Sequence, residues 1–183
     1  DARNFLAEWR EIVTRDRNHP SIIAWTPFNE TWTSNVEQHH RVHIDAYELS
    51  KVIDPTRPVN DTSGYVHALT DLWTVHNYDR PDKLGALDAG PGKVWTHDVH
   101  KKDSCPYAGQ PYIVDEFGGL KWVPADRKPH ADNTWGYGSD IPDIETLYKL
   151  LKDEVDIILA VPNMSGYCYT QLTDVEQEQN GVY

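Results

Sequence analysis

The chain has 183 residues, with 17 Lys and Arg against 29 Asp and Glu, giving a net charge of −12. That balance repels phosphate backbones, and the basic residues are scattered among acids (Arg15/Arg17, Lys101/Lys102), so nucleic-acid binding is set aside. No stretch approaches the ~20 apolar residues of a membrane span, and Asp1 opens no basic-then-apolar leader, so localisation stays unassigned.

Helical spacing of Phe5, Leu6, Trp9, Ile12 and Val13 predicts a helix over residues 3–18, ended by Asn18-His19-Pro20. The apolar, β-branched run Ser21 to Phe28 then predicts a buried parallel strand that stops at Asn29-Glu30. A second helix is expected from about Asn35 to Ile53, with Ser34 as N-cap and Asp54-Pro55 as the stop. A short strand follows at Pro58 to Thr62. Leu72 to Tyr78 reads as a third strand, and a long polar connection rich in Gly and Pro runs on to Gln110. Pro111 to Glu116 is a fourth strand, closed by Phe117-Gly118-Gly119. After a loop carrying Trp122 and Trp135, residues 143–160 form an amphipathic helix on Ile144, Leu147, Leu151, Val155, Ile158 and Leu159. Met164 to Leu172 is the fifth strand.

Strands alternating with helices or long crossovers imply a parallel sheet. An ordinary (β/α)8 barrel has eight strands and about 250 residues, so five strands here mean a doubly wound sheet or a barrel without its beginning. Trp and Tyr (7 and 10) outnumber Phe (3), which favours aromatics with a polar handle, suited to surfaces that bind polar rings through their apolar faces as well as to cores. Cys105 and Cys168 lie in unlike contexts and suggest neither a metal cluster nor a disulfide framework.

Glu30 and Glu116 share a setting, each at the C-terminal end of an apolar strand, the edge that carries active sites in parallel α/β folds. Glycoside hydrolysis needs two carboxyl groups flanking the bond, about 5 to 5.5 Å apart when the mechanism is retaining. The proton donor needs a pKa near working pH, whereas a nucleophile must stay ionised. His76 shares a strand face with Tyr78 by the two-residue period.

The words around these residues go further. His19-Pro20-Ser21-Ile22-Ile23-Ala24-Trp25 running into Asn29-Glu30, Asp54-Pro55-Thr56-Arg57-Pro58-Val59, and Pro111 through Gly118 closely resemble the catalytic barrel of glycoside hydrolase family 2. Gly166 through Asp174 looks like the last barrel strand of that family. The resemblance implies an α/β fold, a partial (β/α)8 TIM barrel holding strands four to eight, in one domain over residues 1–183 of a longer multidomain chain. It further implies a retaining β-glycosidase, β-galactosidase-like, with Glu30 as acid/base and Glu116 as nucleophile. Asn29 would hold the sugar 2-hydroxyl and Tyr78 would hydrogen-bond the nucleophile. His76 could contact a sugar hydroxyl, Tyr169 form an aromatic platform and Trp32 shape the leaving-group subsite. Packing is the alternative for these three.

No cofactor is implied, and the expected partner is a carbohydrate. An open five-strand sheet exposes edges, so association with a copy or with the absent first half is also expected. His39 and His43 stand at the i, i+4 spacing of a zinc helix, but His40 occupies the place of the general-base Glu, so the three are read as solvated and no metal is assigned. The absence of an Asn-x-Lys element, which the family's glucuronidases share, leans the specificity toward a neutral sugar. A β-glucuronidase or β-mannosidase, or an inactive carbohydrate-binding barrel, is the competing reading.

Overall fold

The computed structural model describes residues 2–124 and 133–183. Residue 1 and residues 125–132, the middle of the expected Trp-flanked loop, lie outside the described residues. The chain forms two compact units, one of Asp1–Val75 with Thr96–Ile113 and the other of His76–Trp95 with Val114–Tyr183.

In the first unit, helix α1 (Ala2–Asp16) turns Trp9 and Val13, one helical turn apart, into the interior. Helix α2 (Val36–Ile53) packs against it through Ala46, and the Trp9 indole N–H donates to Ser50 Oγ at 2.8 Å. Trp25 and Val59 complete this core. The cap of α2 is Asn35 and not the expected Ser34: its side-chain oxygen accepts from the Gln38 N–H at 3.1 Å. The expected strands at 21–28 and 58–62 are corrected as well. They meet only through isolated parallel bridges, Trp25 with Val59 and Asn29 with Ser63. Pro27 lies between the two bridging residues and has no N–H to donate, so a continuous ladder cannot form there.

Strands β1 (Trp73–Asn77), β2 (Tyr112–Gly118) and β3 (Met164–Thr170) form a parallel three-stranded sheet in the order β1-β2-β3. The connection expected to be polar loop holds two single-turn helices, α3 (Pro81–Leu84) and α4 (Asp98–Lys101), and a 3-10 turn at Gly85–Leu87. Pro81 starts α3 where a missing N–H costs nothing, and Leu84 and Leu87 are fully buried. Helix α5 (Ile144–Ala160), capped by the Asp143 side chain accepting from the Thr146 N–H at 2.7 Å, packs on α3, the 3-10 turn and β3. It buries Ile158 and, against the usual preference, Glu154. Among the described residues no helix is long and apolar enough to cross a membrane.

Candidate active site

Parallel pairing in register brings the C-terminal ends of β1, β2 and β3 to one edge of the sheet. Tyr78 directly follows β1, Glu116 stands near the end of β2, and Tyr169 is the penultimate residue of β3. The Tyr78 hydroxyl donates to Glu116 Oε2 at 2.5 Å, and His76 Nδ1 lies 3.2 Å from the same oxygen. His76 Nε2 is 3.5 Å from Asp115 Oδ1, so the imidazole, its side chain 4% exposed, sits between two carboxylates. Burial first, then the bond to Glu116, pushes the Tyr78 phenol far above its ordinary ionisation range. The phenol therefore remains a donor at any working pH, and a donor at this distance favours the ionised carboxylate over the acid.

Two glycines make this packing sterically allowed. Gly118 and Gly119 have φ of +86° and +58°, where a side chain is strained. A Cβ at Gly118 would collide with the Tyr169 ring, and one at Gly119 with Tyr137 and Tyr78. The Tyr137 ring stacks on Tyr78 with centroids 3.6 Å apart and planes within 4°. Tyr169 packs edge-on against Phe117, accepts from the Leu120 N–H at 3.1 Å and donates to the Asn180 carbonyl at 3.3 Å. Its hydroxyl is thus engaged by the protein's own backbone.

In the first unit, Asn29 forms the bridge to Ser63, and Glu30 takes the left-handed region at φ +52° while its N–H donates to the Ser63 carbonyl at 2.9 Å. A non-glycine residue held there is strained, a condition that clusters at functional sites. Thr31 anchors the turn. Its hydroxyl donates to His43 Nε2 at 2.6 Å, and His43 Nδ1–H donates to the His39 carbonyl at 2.8 Å. The reading of these histidines as solvated is corrected: His39 and His43 are 8% and 3% exposed, with rings stacked at 3.8 Å. Parallel rings at that distance cannot both aim a nitrogen at one metal ion. Burial lowers both pKa values, that of His43 to about 4. Trp32 is 57% exposed.

Sequence reasoning did not single out Asp115, Tyr137 or Arg80. The Arg80 guanidinium donates to the Tyr137 carbonyl and reaches Glu154 Oε1 at 3.5 Å. Positions 57 and 74 residues apart, with no motif linking them, leave no local signal for such contacts.

Parallel α/β barrels carry their active sites at the C-terminal edge of the strands, the edge on which Glu116 and its two partners stand. Residues 2–121 match the family model described as "Glycosyl hydrolases family 2, TIM barrel domain". The chain belongs to this family. It is 30% identical over 170 residues to a β-galactosidase of Psychromonas ingrahamii and 32% identical over 172 residues to one of Vibrio vulnificus, covering 76% and 78% of this chain. It spans only 16% of the length of either relative. In fold it is similar to a β-glucuronidase from Ruminococcus gnavus in complex with D-glucuronic acid, with TM-score 0.68 and 18% identity, covering 100% of this chain and 33% of that one. A family 2 β-galacturonidase from Eisenbergiella tayi bound to galacturonate gives 0.60 and 20% over 89% of this chain and 28% of its own.

Proposed function

We propose that this chain carries part of the catalytic barrel of a retaining glycoside hydrolase that releases terminal β-linked sugars, with β-galactosidase-like specificity. The observation that carries the reading is the Glu116 carboxylate on the C-terminal edge of β2, gripped by the Tyr78 hydroxyl at 2.5 Å and by His76 at 3.2 Å. In this reading the bridged segments and the three strands are barrel strands four to eight. The whole lies within one catalytic domain of a longer protein, and it requires a carbohydrate substrate and no cofactor.

Glu116 attacks the anomeric carbon as the glycosidic C–O bond breaks, and Glu30 gives its proton to the leaving oxygen. Glu30, now ionised, takes a proton from water as that water attacks the glycosyl-enzyme, and Glu116 is released as the carboxylate. Asn29 binds the sugar 2-hydroxyl, with His76, Tyr169 and Trp32 as further contacts. Identity to β-galactosidases, together with the lack of an Asn-x-Lys element, supports a neutral sugar over a uronic acid.

The test is made in the full-length protein. Glu116→Ala should abolish turnover on every substrate, because no glycosyl-enzyme can form. Glu30→Ala should still react with aryl glycosides whose phenol leaves unprotonated, fail on alkyl glycosides, and recover turnover with azide as a β-glycosyl azide. Normal activity in Glu116→Ala, or identical behaviour of the two variants on good and poor leaving groups, would sink the assignment. An aryl β-glucuronide hydrolysed about ten-fold better than the β-galactoside would overturn the sugar preference alone.

A further inference from the structure

The turn after Glu116 is held by a part-buried ion pair that the reaction itself does not use. Glu154 on α5 has a fully buried side chain, and its Oε2 has no hydrogen-bond partner among the described residues. An isolated carboxylate in such a place is costly, and the group facing it is the Arg80 guanidinium, 3.5 Å from Oε1. Arg80 lies two residues beyond Tyr78 on the same segment, and its other nitrogen donates to the Tyr137 carbonyl. Tyr137 N–H donates to the Gly119 carbonyl at 2.9 Å, which locks this residue to the turn that follows the carboxylate. The Tyr137 ring is the flat surface on which Tyr78 rests, and the Tyr78 hydroxyl makes the 2.5 Å bond to Glu116.

We propose that Arg80, braced by Glu154, is a positioning residue for the Tyr78–Glu116 pair: it fixes the Tyr137 backbone, and through the stacked ring it sets where the Tyr78 hydroxyl meets the carboxylate. The proposal rests on the glycosidase reading for its catalytic consequence, and on the packing alone for its structural one. Guanidinium suits this task because its planar fork serves two acceptors at once, which an ammonium on a flexible stem cannot do with equal geometry. Misplacement of a catalytic group by a fraction of an ångström lowers turnover while leaving substrate affinity nearly intact. The charged and titratable groups acting on Glu154 are Arg80, Asp153 on the same helix and Tyr169 from β3. Burial raises the Glu154 pKa to about 7, so the brace is fully charged only above neutrality.

The experiment uses the full-length protein with 4-fluorophenylalanine at position 137, and the substitutions Glu154→Gln and Arg80→Lys. Each substitution should lower kcat on an aryl glycoside about ten-fold while KM stays within about two-fold. The fluorine resonance should move between pH 6 and 8 in the parent protein, shift in Arg80→Lys and lose its pH response in Glu154→Gln. Unchanged kcat in both variants, or a fall in kcat with an unmoved fluorine signal, overturns the proposal. If Glu154→Gln does not fold, Arg80→Lys decides by the same two readouts. A parent protein that hydrolyses no glycoside defeats the glycosidase reading instead. In that case a fluorine signal indifferent to both substitutions overturns the brace, and one that responds supports it.

Discussion

Tyr78 shows how one hydroxyl can do two separable things. Its ring belongs to the stack with Tyr137, and its oxygen belongs to Glu116. Tyr78→Phe should therefore leave stability within about 1 kcal/mol, while the loss of one strong donor lowers kcat about 100-fold. Thermal unfolding and steady-state kinetics on the same sample separate the two effects. Gly119→Ala should behave oppositely. A methyl at φ +58° pressed against Tyr137 and Tyr78 both strains the backbone and displaces the stack, so stability and kcat should fall together, the former by at least about 1 kcal/mol.

At the scale of elements, 3.6-residue periodicity made α1 and α5 readable, cap and stop signals made α2 readable, and short apolar or aromatic runs closed by turn residues marked the three strands. The misreadings have local causes. Ser34 and Asn35 are both good caps, and only the bond from Gln38 chooses between them. The run around Trp25 has strand composition, yet Pro27 cannot join a ladder. Histidines on a polar helix look solvated until the Phe28 ring is found against His43, with centroids 4.2 Å apart and planes tilted by 33°. The Tyr78–Glu116 pair was legible because Glu116 lies in a family-like motif and Tyr78 ends a readable strand, where the resemblance implies a hydroxyl for the nucleophile, whereas Arg80, Tyr137 and Glu154 meet only after the chain has folded. Asn35→Ala should cost about 1 kcal/mol of helix stability, measurable as a lower urea midpoint.

For the whole molecule, the two units carry opposite pH linkages. His43 has its folded pKa depressed from 6.5 to about 4, so the unfolded chain binds more protons, and stability rises with pH between about 4 and 6.5. Glu154 has its folded pKa raised from 4.5 to about 7, so the folded chain binds more protons, and stability falls across that interval and is flat above it. The full Glu154 penalty is on the order of 3 kcal/mol at alkaline pH. Denaturation monitored from pH 4 to 9 should show Glu154→Gln gaining stability relative to the parent only above about pH 5 and most at pH 8. His43→Gln should lose its advantage from raising the pH through 4 to 6.5. A Glu154→Gln variant equally stabilised at pH 4 and pH 8 would contradict the linkage.

The left-handed backbone at Glu30 has a practical consequence. At φ +52° every side chain except hydrogen presses on its own carbonyl, so this is a place where the chain tolerates its residue instead of being shaped by it. Deleting the side chain to Ala would keep that discomfort, and deleting it to Gly would relieve it. Glu30→Gly should thus melt higher than Glu30→Ala, by an amount equivalent to about 1 kcal/mol. If Glu30 is the proton donor of the proposed mechanism, the glycine variant is the sturdier choice for trapping an uncleaved sugar in a crystal.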